Sequence, residues 1–151
     1  LSWKKISLFQ ETRGDETAFQ FTSEGNVIGI ERRGSASAQI VRSRPPYAEW
    51  EREDLDRYIG GPLLVRWGER WVVGGRRNTK SGPKTSLCWL QGNKLHEFAE
   101  LPSGGDNSYP GFLDLGDGKA IVSWYSSHER DQDGKIVTAI YLADLKIQNP
   151  E

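Results

Sequence analysis

One spacing occurs three times in this chain. Glu16, Gly25 and Arg32 stand 9 and 7 residues apart, and Tyr109, Gly118 and Tyr125 repeat both gaps. Between them, Gly60 and Arg76 span the same 16 residues around Gly68, a turn glycine one position early. The anchors Glu16, Gly60 and Tyr109 lie 44 and 49 residues apart. A repeat of that length is one supersecondary unit, which cannot bury its apolar face alone and must stack on its neighbours.

Within each unit, short apolar or alternating runs are separated by turn residues, a pattern of strands rather than helices. The first unit predicts strands at 17–22, 27–33, 37–43 and 50–55, with Ser23-Glu24-Gly25-Asn26 turning the first pair. The second predicts 62–67, 70–77, 84–90 and 95–101, with Gly68 and Gln91-Gly92-Asn93 at turns. The third predicts 110–115, 119–126 and 135–147, with Gly116-Asp117-Gly118 between the first pair. Each unit reads as a meander of antiparallel strands joined by tight turns. Trp3 to Phe9 is predicted as an extra outer strand, and the units occupy roughly 10–55, 56–102 and 103–147.

The fold class expected is therefore all-β: three four-stranded antiparallel blades of a six-bladed β-propeller, forming one domain. Three blades cannot close a ring, and left alone they expose sheet edges and apolar faces. Either the chain is an open half-ring belonging to a longer protein, or two copies join as a homodimer. In the dimer, Trp3 to Phe9 of each copy completes the third sheet of the other. A chain without methionine that opens Leu1-Ser2-Trp3 reads as a processed product or a piece of something longer.

The pattern Ser43-Arg44-Pro45-Pro46-Tyr47-Ala48-Glu49-Trp50 keeps the Ser and Trp of a Ser-x-Asp-x-Gly-x-x-Trp box, with Pro45 and Tyr47 replacing its Asp and Gly. With Glu16-(x)8-Gly25-(x)6-Arg32, this motif carries a resemblance to the sialidases (neuraminidases) and their relatives with Asp-box (BNR) repeats. The resemblance covers the C-terminal half of their propeller. It implies that Glu16 partners a nucleophilic tyrosine, Tyr109 in Asn107-Ser108-Tyr109-Pro110-Gly111, and that Arg32 and Arg76 hold a substrate carboxylate. Arg77, Arg66 and Arg70 compete with Arg76 for its role, and Arg33 with Arg32. Tyr125 holds the arginine-equivalent place in unit three, where it lines the pocket or fills it. Asp106 is carried beside them as a substrate contact, although the turn Gly104-Gly105-Asp106 explains it more simply.

The chemistry of that set is coherent. An acidic sugar repels a carboxylate nucleophile, and a neutral tyrosine suffers less repulsion, which is why sialidases depart from the two-carboxylate rule for glycosidases. A phenol with a pKa near 10 needs an adjacent base, the role of Glu16. Arginine suits the ligand because its planar fork donates two parallel hydrogen bonds and stays charged. The family's first arginine and its acid/base aspartate have no counterpart here, and Pro110 follows the tyrosine where a serine is usual. The expectation is part of a sialidase-like glycoside hydrolase, with little or no activity as an isolated chain. The alternative is a non-catalytic propeller module that binds a glycan or a protein.

Other classes find less support. Net charge is -1, with 20 basic and 21 acidic residues interspersed, so the basic stripe of a nucleic-acid binder is missing. Cys88 is a single cysteine in an apolar run and reads as a buried small hydrophobe. His96 and His128 share no ligand spacing with it, and neither a metal nor a cofactor is implied. No run approaches a membrane span or a signal peptide, and the compartment is left open. Arg13-Gly14-Asp15 spells an adhesion tripeptide, a match that chance supplies often.

Overall fold

Over residues 119–127 every second side chain is buried, namely Ala120, Val122, Trp124 and Ser126, while most of those between are half-exposed. Pleating sends neighbouring side chains to opposite faces, so one face of this strand is core and the other is open. The computed structural model describes residues 1–10 and 14–147, which contain strands and no helix. The strands are β1 (Thr17–Phe21), β2 (Val27–Glu31), β3 (Gln39–Ser43), β4 (Glu51–Asp54), β5 (Gly60–Trp67) and β6 (Arg70–Thr79). They continue with β7 (Gly82–Gln91), β8 (Lys94–Glu100), β9 (Asn107–Gly116), β10 (Lys119–Arg130) and β11 (Ile136–Lys146).

Three antiparallel sheets result, ordered β1-β2-β3-β4, β5-β6-β7-β8 and β9-β10-β11. The all-β expectation holds. The third sheet has three strands among the described residues rather than the four expected of each unit.

Two apolar layers hold the sheets together. Ile28, Ile30, Ala38 and Ile40 of the first sheet region pack on Leu64, Val73, Cys88 and Leu95 of the second. The opposite face of the second sheet, with Trp67, Val72 and Leu87, meets Ala120, Val122 and Trp124 of the third. Leu64, Val73 and Cys88 alternate with Val65, Val72 and Leu87, so a period of two makes the middle sheet apolar on both faces. The first strands sit side by side, with β5 touching both β1 and β9.

Trp3 to Phe9 forms no strand, which corrects the expectation of an extra outer one. Side chains rather than a backbone ladder hold this segment. The Arg52 guanidinium donates to the carbonyls of Phe9 at 2.9 Å and Leu8 at 3.4 Å. Ser7 Oγ donates to the Tyr47 carbonyl, and Trp50 Nε1 donates to Ser7 Oγ at 2.9 Å. The Phe9 ring packs edge-on against Phe19 at 4.8 Å and near Trp50 at 5.7 Å. The Ser43-to-Trp50 loop joins β3 to β4, the last two strands of its sheet, and Ser43 Oγ donates to the Glu49 carbonyl across it.

Candidate functional site

The site is built where the first strands of the three sheets begin. The Arg32 N–H donates to the Glu16 carbonyl at 2.9 Å, one pair beyond the β1–β2 ladder. Gly60 pairs with Arg76, and Ser108 pairs with Tyr125. Glu16, Gly60 and Ser108 are therefore the matching positions, opposite Arg32, Arg76 and Tyr125. The equal spacing placed Tyr109 at the third corner, and the register moves it on by one residue.

A second irregularity in β9 causes the offset: Lys119 pairs with Gly116 and Ala120 with Asp114, so Leu115 is an extra residue that β5 lacks. At the strand start the two sheets share a bulge. Tyr109 and Pro110 together face Trp124, just as Gly61 and Pro62 together face Gly75. An extra residue of this kind bends the strand and re-aims a side chain. Both bulged residues are left-handed, with φ of 54° at Gly61 and 49° at Tyr109. That conformation is free for glycine and strained for tyrosine, at about 1–3 kcal/mol. Gly61 is also required sterically, since a Cβ there would lie 2.5 Å from Ser108 Oγ.

Ser108 ties the second sheet to the third. Its buried hydroxyl lies 2.5 and 3.1 Å from the carbonyl oxygens of Gly60 and Gly61 and accepts the Arg76 N–H at 3.1 Å. Glu16 ties the first sheet to the second, because its Oε2 accepts the Gly61 N–H at 2.9 Å. The same oxygen accepts Arg32 Nη1 at 2.8 Å. Oε1 accepts a hydrogen bond from the Tyr109 hydroxyl, across 93 residues of chain. Tyr109 remains 55% exposed.

Beside this pair, Arg76 Nη1 donates to Asp106 Oδ1 at 2.8 Å, and the Tyr125 hydroxyl donates to the same oxygen at 2.8 Å. The Tyr109 and Tyr125 rings stack with centroids 6.0 Å apart and planes 25° apart. All six residues singled out from the sequence are thus gathered in one cluster. Among the competing arginines, Arg77 is taken by Glu97 and Glu100. Arg66 and Arg70 lie over Trp71 and Trp89, and Arg33 pairs with Asp54.

Electrostatics follow from these contacts. Burial disfavours the Glu16 charge, but the Tyr109 hydroxyl, Arg32 and the Gly61 N–H outweigh it, and its pKa falls below the ordinary carboxylate value. Glu16 in turn raises the Tyr109 pKa by accepting its proton in a hydrogen bond, with burial adding to the effect. The ground state is a neutral phenol donating to an ionised carboxylate. Burial and the Asp106 carboxylate push Tyr125 up to about 12. Burial works against the Arg76 charge, yet Tyr58, Tyr125 and Asp106 more than offset it.

Three contributors were not read from the sequence as site residues. Tyr58 lies between the arginines: its ring faces the Arg32 guanidinium at 5.7 Å and its hydroxyl is a partner of Arg76. A Cβ on Gly60 would fall 2.3 Å from that hydroxyl, so Tyr58 crosses the strand start only because residue 60 is glycine. Asp15 places a carboxylate 3.3 Å from Arg32 Nε, a role hidden inside a chance-looking tripeptide whose Arg13 lies outside the described residues. Ser108 had a legible signal, since Gly60-Gly61-Pro62 and Ser108-Tyr109-Pro110 share a final proline. Cys88 is buried, and the described residues contain no group of three or more potential metal-ligating side chains.

No protein-family model matches the chain, and no curated protein matches it. A solved structure does: the crystal structure of a protein of unknown function from Dyadobacter fermentans DSM 18053, with a TM-score of 0.74 and 19% identity. The match covers 97% of this chain and 42% of that one, so the chain spans less than half of the similar protein's length. At that identity the likeness establishes a shared fold.

Proposed function

We propose that the chain forms part of a sialidase-like site for an acidic sugar, with Tyr109 as nucleophile, Glu16 as its base, and Arg32 and Arg76 on the carboxylate side. The observation that carries this reading is the Tyr109–Glu16 hydrogen bond, which joins a strained, exposed phenol to a carboxylate fixed by Arg32 and Gly61. In the reaction, the phenol oxygen bonds to the anomeric carbon while its proton passes to Glu16. The glycosidic C–O bond breaks, and the leaving oxygen needs a proton from an acid outside this residue set. Multiple turnovers on an ordinary glycoside are accordingly not expected of this chain alone.

Adjacency of β1, β5 and β9 supports reading the sheets as consecutive propeller blades, with the site at their shared mouth. Calorimetric titration with an acidic sugar and its neutral methyl ester tests the binding half of the reading. Wild type binds the acid more tightly than the ester and Arg76→Ala loses that preference; equal affinity for acid and ester in wild type would count against the site.

A second reading, of an assembly unit, has its own observation. The face of the third sheet away from the second leaves Leu113, Leu115, Ile140 and Leu142 exposed, Ile140 at 81%. An apolar sheet face of this kind suits a further sheet, supplied by a second copy or by the N-terminal half of a longer chain. Light scattering separates these: a dimer mass supports the two-copy ring, and a monomer removes it.

A further inference from the structure

We propose that Asp106 stands in the place of a ligand carboxylate: Arg76, Tyr125 and Tyr58 form an anion subsite that an acidic ligand enters by displacing Asp106, while Arg32 stays committed to Glu16 and Asp15. The inference rests on the acidic-ligand reading above and divides labour between its two arginines.

They differ in how tightly they are engaged. Arg32 holds two carboxylates, Glu16 through Nη1 and Asp15 through Nε, and Nε also donates to the Gly34 carbonyl at 3.2 Å. Glu16 is itself fixed by the Gly61 N–H and the Tyr109 hydroxyl, so releasing Arg32 means dismantling the junction of two sheets. Arg76 has a looser partner. The Asp106 side chain is 69% exposed, and its contacts with Arg76 and Tyr125 both fall on one oxygen, Oδ1. A guanidinium fork is better matched by two oxygens in parallel, which a ligand carboxylate can offer.

Displacement needs no backbone movement. The Asp106 carbonyl accepts the Ser127 N–H at 2.9 Å, which holds the turn while the side chain rotates away. Meanwhile the subsite keeps its shape. The Arg76 backbone is pinned by Ser108 Oγ, Tyr58 partners its guanidinium, and Tyr125 stacks on Tyr109. A ligand carboxylate on Arg76 then lies beside the nucleophile. An exposed ion pair resists displacement only weakly, so removing Asp106 should tighten binding by up to about fivefold.

The test titrates N-acetylneuraminic acid, its methyl ester and sodium acetate into wild type, Asp106→Asn, Asp106→Ala and Arg76→Ala, with Asp144→Asn as a control for lost negative charge. Tighter binding of the acid by both Asp106 variants, unchanged ester and control, and loss in Arg76→Ala are expected. Equal or weaker acid binding in the Asp106 variants overturns the subsite while leaving the acidic-sugar reading intact. A gain for acetate without any sugar binding keeps the subsite and removes the sugar. If neither carboxylate gains, the inference is wrong.

Discussion

Gly61 and Tyr109 occupy the same place in successive sheets, each left-handed, each followed by proline, and each the bulged residue after the pair that matches Gly60 with Arg76 or Ser108 with Tyr125. One is the residue that this backbone favours, and the other carries the candidate nucleophile. Strain held at a position of this kind is a structural reason to suspect function.

That relationship sets the first expectation. Tyr109→Gly should be more stable than Tyr109→Ala by about 1 kcal/mol, because alanine keeps the left-handed penalty and glycine does not. Denaturant unfolding of the two variants measures it directly. Identical stabilities would mean that residue 109 is not held at positive φ.

Gly61→Ala should cost about 3 kcal/mol, since it adds the left-handed penalty to a clash with Ser108 Oγ. Gly68→Ala, at a φ of 57° with nothing near its added methyl, should cost only about 1 kcal/mol. A ratio near one between the two would remove the close approach of β5 and β9.

Ser108→Ala should destabilise by about 1–3 kcal/mol, because it removes the partner of the half-buried Arg76 N–H and of the Gly60 carbonyl. Ser108→Thr tests whether the hydroxyl alone suffices. Full stability of the alanine variant would show that the two sheets do not depend on this contact.

Stability should depend on pH at both ends. Glu16 has a folded pKa below 4.5, so its contribution is complete above pH 4.5 and is lost as pH falls through the folded value. Tyr125 is raised from 10 to about 12, so its contribution is complete below pH 10 and is lost as pH rises towards and past 12. Glu16→Gln should flatten the acid limb and Tyr125→Phe the alkaline limb of unfolding midpoint against pH. Limbs unchanged by these variants would contradict the contacts.

Strand positions were legible because period-two burial and turn glycines are local signals. Val72 and Val73 face opposite layers for that reason, and Gly68 and Gly118 fall in the tight connections between strands. Bringing Glu16, Arg32, Arg76 and Tyr109 together followed from the repeat, since matching intervals put the starts of adjacent first strands side by side. The extra residue at Leu115 was not legible, because it lengthens β9 by one beside a Gly116-Asp117-Gly118 turn signal that stays the same. Tyr58 was hidden for a different reason. Its role depends on the absence of a Cβ at Gly60, two residues away on the next strand. Nor did the apolar run Trp3 to Phe9 reveal that Arg52 takes its carbonyls, which leaves it clipped to the first sheet instead of extending one.

The nucleophile assignment admits a test that bypasses the missing acid. A glycosyl fluoride of an acidic sugar loses fluoride without needing a proton, so a phenol and its base can react with it once. Incubation followed by peptide mass spectrometry should show a single sugar adduct on Tyr109, abolished in Tyr109→Phe and strongly slowed in Glu16→Gln. An unmodified Tyr109 under those conditions, or an adduct on a different residue, would contradict the account.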